Sequence, residues 1–434
     1  YETYERRFHK VHTLKEIYQD NEERNFIDPS LYSRYRVKAG LRNDNGTGVK
    51  VGLTKICDVI GYKIIHEKKY NIDGQLIYRG YPINYLVNKQ PSDKICGFEE
   101  TAYLLIFGTL PNADQLKAFK DYLLNFKMGP VDLQYETPNI LNALQIEVLK
   151  LYAKDPSADT DDLEERMMKG LKILASIPLF TFSYARNKVF KSYPYPDRSL
   201  AENILCMARG NDQYTFEEAK IMDTLLMVHA DHGGGNNSTF ANVVISSTGT
   251  DIYSCISAAI GSLKGPKHGG ANCKVTNMFK AIFHEVGFTT DKATLKKIAN
   301  RILDKDFFDH SGLIYGIGHA IYTKSDPRAL LIHEQCEALA KSKGQEEIYN
   351  CIHAFEKVAI EVMKERKGID VCANVDYYSG YVYSLLGIES NLFTPLFAIS
   401  RTAGWVSHHL ENRQSNRKLI RPANVYVGEM EEIK

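Results

Sequence analysis

The sequence predicts an all-α, mainly helical protein with a large helical domain, a smaller helical domain and a few short β pieces near its N-terminus. Three observations predict it. From Phe98 onward apolar residues recur at helical spacing almost without interruption. Helix-start and helix-stop signals punctuate that pattern, among them the capping box Thr215-Phe216-Glu217-Glu218 and the Gly210 that follows Arg209. Alternating, β-like patterning is confined to three short pieces before residue 80.

Taken in order, residues 1–40 are polar and tyrosine-rich and read as an arm with some helix. The turn cluster Asn43-Asp44-Asn45-Gly46-Thr47-Gly48 leads into the β-like pieces 49–53 and 61–66, and Asp73-Gly74 opens a third, 75–78. Helical patterns follow at 99–107, 113–127, 139–152 and 161–186, the last with a break expected at Pro178. The pattern at 198–209 stops at Gly210, and the Thr215 capping box opens a helix that ends at His229. Further patterns span 251–263, 272–288 and 291–303. Asp326-Pro327, an N-cap with proline at the first helical position, starts a helix to about Ser342. Patterns at 345–367, 377–386 and 393–413 complete the series, with no internal repeat and no low-complexity stretch.

Composition narrows the function classes. A chain of 434 residues, 44% hydrophobic and 25% charged, is that of an ordinary globular protein of two or three domains, or of one large domain with a smaller one attached. The net charge of +1 gives no field that would pull it onto nucleic acid or a membrane. No apolar run reaches membrane-spanning length. Eight scattered cysteines without a C-x-x-C pair suit a thiol-keeping compartment. The cytoplasm is expected, or an organelle matrix if a targeting segment has been removed upstream of Tyr1.

Five stretches could carry chemistry. Gly265-Pro266-Lys267-His268-Gly269-Gly270-Ala271-Asn272 sets one histidine between two helices, with glycines that permit unusual backbone and close approach of a ligand. Alone, it also fits a helix–helix turn with an incidental histidine. Gly316-Ile317-Gly318-His319-Ala320 repeats the theme, and Arg328 follows in the first turn of a helix whose positive end suits an anion. Asn374-Val375-Asp376 precedes a helical run, where a lone Asp is most often an N-cap. His229-Ala230-Asp231-His232 invites a metal, yet it lacks the H-x-x-x-H spacing and any Cys pair or acidic cluster to complete a site. A structural histidine at a helix C-terminus is the rival. Finally, Arg401, Arg413, Arg417, Lys418 and Arg421 form a basic run, either a solvated face or guanidinium forks for carboxylates.

His268 and His319 lie 51 residues apart and Asp376 a further 57 on, so only the fold could assemble them into one site. Two histidines, one aspartate and several arginines suit proton abstraction beside a carbonyl and clamping of a polyanionic acceptor. A G-x-S-x-G elbow and a P-loop are both missing, which removes support from serine-hydrolase and P-loop chemistry.

On these motifs the chain resembles the citrate synthase family. GPKHGGAN around His268, GIGH with the DPR of Arg328, NVD around Asp376 and SRTAGW at Arg401 occur in the family's order, and residues 40–52 and the stretch DGQLIYRG at 73–80 extend the likeness to roughly 40–425. The resemblance implies that Asp376 takes a proton from the methyl of acetyl-CoA, that His268 hydrogen-bonds the thioester oxygen, and that His319 donates toward the oxaloacetate carbonyl. Arg328, Arg401 and Arg421 would hold carboxylates, Arg421 in the partner subunit's site of a homodimer, and His232 would contact oxaloacetate, with His229 the weaker candidate. The loop from Leu313 to His319, with Gly316, Ile317 and Gly318, would take CoA together with Asn374 and Lys367. Acetyl-CoA is then a cosubstrate, with no permanently bound cofactor and no metal. The implied domains are 1–269 with 382–434, and 270–381 as the small domain that closes over substrate. Ala320 stands where many bacterial members carry an arginine facing the cofactor. The alternatives are a 2-methylcitrate synthase using propionyl-CoA, since one methylene is worth only ~1–3 kcal/mol of discrimination, and a non-catalytic scaffold of the same fold.

Overall fold

The computed structural model describes residues 13–133, 136–415 and 418–430. Among them the chain forms seventeen α-helices, three short 3-10 helices and one three-stranded antiparallel sheet. It divides into two compact units, one spanning Tyr1–Val51 with Arg421–Lys434 and the other Gly52–Ile420.

The first unit carries two short helices, Leu14–Asp20 and Ser30–Arg34, neither with a buried residue. Thr13 and Glu16 close a capping box on the first. The β piece expected at 49–53 does not form, because the turn cluster closes on itself: Asn43 donates its N–H to Thr47 O and Val49 donates to Leu41 O, both at 2.8 Å, which makes only the isolated bridge Arg42–Gly48 among the described residues 39–53.

In the second unit, β1 (Cys57–Ile65) pairs with β2 (Lys68–Tyr78), and β2 pairs with β3 (Tyr81–Pro82). The β1–β2 register shifts between Ile60 and Tyr62, a bulge that bends the ribbon. At that bulge Gly74 donates its N–H to Ser325 Oγ at 3.1 Å, and Ser325 donates on to Asp73 at 3.2 Å. The hairpin thus holds the loop that precedes Arg328.

The rest of the unit is helical. The helix Leu163–Arg186 runs through Pro178 without the expected break. Residues 173–183 are buried, so tertiary packing overrides the local penalty of the proline. Ser176, Thr181 and Ser183 bond back to the carbonyls of Lys172, Ile177 and Leu179, which satisfies their hydroxyls inside the core.

Seven helices build the site: α1 (Phe216–His229), α2 (Asn237–Ser246), α3 (Ile252–Lys264), α4 (Ala271–Val286), α5 (Pro327–Ser342), α6 (Val375–Leu385) and α7 (Phe393–Gln414). The Thr215–Glu218 capping box forms on α1, and Asp326 caps α5 with proline at its start. Helix α7 is buried from Phe393 to His409 and packs against α1, α2, α3 and Leu163–Arg186. The cap of α6 is Asn374, whose Oδ1 accepts from Asp376 N–H at 3.0 Å. The role expected for Asp376 therefore belongs to its neighbour, and the aspartate sits in the first turn with its carboxylate released from capping. Among the described residues no helix is long and apolar enough to cross a membrane.

Candidate active site

The loop that carries His319 is zipped to the segment that leads into α6. Gly318 donates its N–H to Cys372 O at 2.8 Å, Asn374 donates to Gly316 O at 2.9 Å, and Ile317 bridges Ala373. Gly316 has a φ of +82°, and a Cβ there would sit 2.9 Å from Tyr377 Cα, so only glycine lets the loop lie this close to α6. The zipper brings His319 and Asp376 into one piece of structure. His319 Nδ1 accepts from the N–H groups of Ile321 (3.0 Å) and Tyr322 (3.1 Å). Two backbone donors on Nδ1 leave the ring's proton on Nε2, which makes that atom a donor.

Asp376 Oδ1 is buried without a hydrogen-bond partner. Burial pushes its pKa up to about 7, while Arg328 and Arg401 pull it down and Asp326 pushes it up. A carboxylate in this state is poised as a base near neutral pH.

His268 lies in the turn between α3 and α4, its Nε2 2.9 Å from Ser238 Oγ. Ser238 accepts from Trp405 Nε1–H at 3.2 Å and stands 3.0 Å from Asn236 Oδ1. Burial, with Arg401 adding to it, lowers the His268 pKa to about 3, so the ring is neutral. The glycine after it is needed for space rather than for unusual dihedrals: a Cβ on Gly269 would meet Leu263 Cδ1 at 2.6 Å.

Two buried arginines stand near Asp376 and act on its charge. Arg328 is buried and gripped by Asp326, Nε to Oδ1 at 3.0 Å and Nη2 to Oδ2 at 2.8 Å, which leaves Nη1 outside the pair. Burial works against its charge, but Asp326 raises its pKa above the usual arginine value. Arg401, fully buried on α7, donates from Nε to His229 O at 2.7 Å and from Nη1 to Asn236 Oδ1 at 3.1 Å. Its Nη2 is buried without a partner, and its guanidinium lies 4.7 Å from the Phe397 ring centroid. An unpaired buried guanidinium N–H group is a standing donor for a carboxylate. His232 lies 5.2 Å from the His319 ring, with Nε2 3.2 Å from Tyr322 Oη. Burial and then the Arg328 charge hold it neutral.

The side chains of His229-Ala230-Asp231-His232 turn to separate partners. His229 Nδ1 donates to Leu225 O at 2.7 Å, and Asp231 pairs with His408 at 2.9 Å in full burial. Among the described residues no cluster of three His, Cys, Asp or Glu side chains could hold a metal. His229 nevertheless lines the site: burial lowers its pKa to about 3, and its Nε2 is buried without a partner.

The basic run divides. Arg401 alone is buried in the site, Arg413 pairs with Asp161 at 3.2 Å, Lys418 is exposed, and Arg417 lies outside the described residues. Arg421 is exposed and belongs to the first unit. Of the residues read as CoA contacts, Gly316, Ile317, Gly318 and Asn374 adjoin His319, whereas Leu313 and Lys367 are exposed, Lys367 at the end of the helix Glu346–Lys367. Sequence reasoning missed Asn236, Ser238, Phe397 and His408. The run of polar residues after His232 and the His408-His409 pair inside an apolar helix were the available signals.

Comparisons with known proteins find likeness over most of the chain. Residues 43–423 match the sequence model of the citrate synthase C-terminal domain. The chain is 37% identical over 386 residues to the citrate synthase of Haloferax volcanii, covering 85% of this chain and 94% of that one. It is 32% identical over 366 residues to 2-methylcitrate synthase 1 of Corynebacterium glutamicum, covering 81% and 89%. Among solved structures, citrate synthase from Thermoplasma acidophilum, in ternary complex with carboxymethyl coenzyme A and oxaloacetate, superposes with a TM-score of 0.75 at 26% identity, covering 92% of this chain and 98% of that one. The enzyme from Thermotoga maritima gives 0.72 at 28% identity with the same coverage. Helical architecture, clustered site and sequence likeness over most of the chain converge: the protein belongs to the citrate synthase family and is an acyltransferase of that type.

Proposed function

We propose that the protein condenses acetyl-CoA with oxaloacetate and water to give citrate and CoA. The observation that carries this reading is the Asp376 carboxylate, buried with one oxygen unpartnered and poised near pH 7. In this reading Asp376 takes a proton from the methyl carbon beside the thioester, and the C–H electron pair becomes that of an enolate. His268 donates to the thioester oxygen. For this it carries its proton on Nδ1, so the Ser238 hydroxyl donates to Nε2 and Asn236 Oδ1 is left to Arg401. The enolate carbon then attacks the ketone carbon of oxaloacetate, and His319 gives the Nε2 proton to the ketone oxygen. Water cleaves the resulting thioester and releases CoA as a thiol. Such positioned acid–base groups each contribute about 10²- to 10⁴-fold.

Arg328, Arg401 and His232 hold the acceptor's carboxylates. A bound dianion offsets the two arginine charges that pull the Asp376 pKa down. The base thus strengthens once the acceptor is seated, which orders the chemistry. The loop 313–319 and Lys367 are the proposed CoA side. Closure of residues 270–381 over residues 1–269 and 382–434 would exclude water, as enolate chemistry requires. Eight free thiols support a reducing compartment such as the cytoplasm.

The reading includes a homodimer in which Arg421 of the partner subunit completes the acceptor site. Mixed subunits test it. Asp376→Asn and Arg421→Ala homodimers are each expected to be nearly inactive. Dimers reassembled from both recover activity, because one site then holds both defects and the other none. No recovery would assign Arg421 to its own subunit's site or to neither.

A second reading is 2-methylcitrate synthesis from propionyl-CoA, favoured by the likeness to the Corynebacterium glutamicum enzyme. Thiol release from acetyl-CoA and, separately, propionyl-CoA in the presence of oxaloacetate decides between them. The expected result is the larger kcat/KM with acetyl-CoA. A preference for propionyl-CoA selects the second reading, and no release from either would leave the fold as a non-catalytic scaffold.

A further inference from the structure

The family resemblance assigns Asn374 to CoA, but the fold commits its side chain elsewhere. We propose that Asn374 is a positioning residue, holding the base Asp376 and the donor His319 in one rigid element. The proposal rests on the acid–base reading above.

An amide side chain offers one carbonyl and two N–H donors. Asn374 Oδ1 accepts from Asp376 N–H at 3.0 Å, and Nδ2 donates to Gly318 O at 2.8 Å. The Gly318 carbonyl belongs to the peptide that joins Gly318 to His319. Its orientation therefore sets the direction in which the His319 side chain leaves the backbone. The preceding peptide is held as well, through Gly318 N–H to Cys372 O at 2.8 Å. Both flanking glycines have positive φ, +82° at Gly316 and +100° at Gly318, so the backbone itself resists a peptide flip only weakly. The Asn374 amide supplies that resistance, and with its other end it fixes the first turn of α6. The two groups that must act on one pair of carbon atoms thus share a single clamp. Misplacement by about 1 Å costs on the order of 10²-fold in such a step.

Two other roles would give different results. A plain N-cap is served equally well by Ser or Asp. A CoA ligand, when lost, raises KM for the acyl-CoA and leaves kcat. Asn374→Ser keeps a cap and loses the donor to Gly318, while Asn374→Asp keeps size and cap but opposes the Gly318 carbonyl with an oxygen. Both variants are compared with wild type for kcat and KM in thiol release from acetyl-CoA, for melting temperature, and for hydrogen exchange across residues 316–321 without substrate. The expected result is an unchanged melting temperature, kcat lower by roughly 10- to 100-fold, KM for acetyl-CoA within about threefold, and faster exchange across 316–321. The acid limb of kcat also moves to higher pH in Asn374→Asp, where a second carboxylate stands near Asp376. Full kcat in Asn374→Ser reduces the residue to a cap and overturns the proposal, as does a raised KM with kcat kept. A wild type that releases no thiol overturns the acid–base reading alone. The clamp is then judged by exchange, where unchanged rates in both variants overturn it.

Discussion

Replacing Asp376 by asparagine lowers kcat for thiol release from acetyl-CoA by about 10²- to 10⁴-fold, in protein that remains folded. Asparagine keeps the shape and removes only the ability to accept a proton. The same substitution has an opposite signature in stability. The folded-state pKa of Asp376 is raised to about 7 from an ordinary 3.8 by burial, so the native chain holds this proton more tightly than the unfolded chain between those values. The contribution to stability is therefore full below about pH 4 and is lost as pH rises through about 7. Wild-type kcat/KM for oxaloacetate rises over the same upper range as the base ionises in the free protein, and kcat rises at higher pH because the seated acceptor strengthens the base. Asp376→Asn lacks the ionisation, so it melts above wild type near pH 8, and the difference narrows toward about pH 5. Retained kcat, or a melting difference that does not vary with pH, would remove Asp376 from the role of base.

Replacing Arg401 by lysine raises KM for oxaloacetate by about 10²- to 10³-fold and leaves KM for acetyl-CoA within a few-fold. The guanidinium is fully buried, with Nε and Nη1 committed to His229 O and Asn236 and Nη2 open. Lysine keeps the charge but offers no fork, so the backbone anchor and the open donor cannot be served together. Losing one partner of a desolvated charge pair costs about 2–5 kcal/mol, which spans the expected factor. Steady-state kinetics with each substrate varied in turn is the measurement. A rise confined to acetyl-CoA would move Arg401 to the cofactor side.

Much of this is legible in the amino-acid sequence. Helical class follows from 3.6-residue periodicity and from capping signals such as Thr215–Glu218 and Asp326-Pro327, which are local and formed as read. The motifs around His268, His319, Asp376 and Arg401 named the residues that the fold gathers. Where local rules failed, distant packing was the reason. Pro178 stays within its helix because buried neighbours hold it there, and 49–53 lacks a partner strand to make it β. Asp376 resembles an N-cap in the sequence, and only the adjacent Asn374 side chain shows that the cap is already supplied.

Residue identity and spacing tell which groups could donate, accept or carry charge, since those are properties of the side chain and its nearest neighbours. Protonation and orientation are set by groups far away in the chain. The Nε2 proton of His319 follows from two backbone donors, the upward shift of Asp376 from burial that outweighs the pull of Arg328 and Arg401, and the open nitrogen of Arg401 from the placement of His229 and Asn236 some 170 residues earlier. Hydrogen-bond direction and desolvation depend on distances of a few ångströms. No spacing in the sequence encodes those distances until the helices have packed.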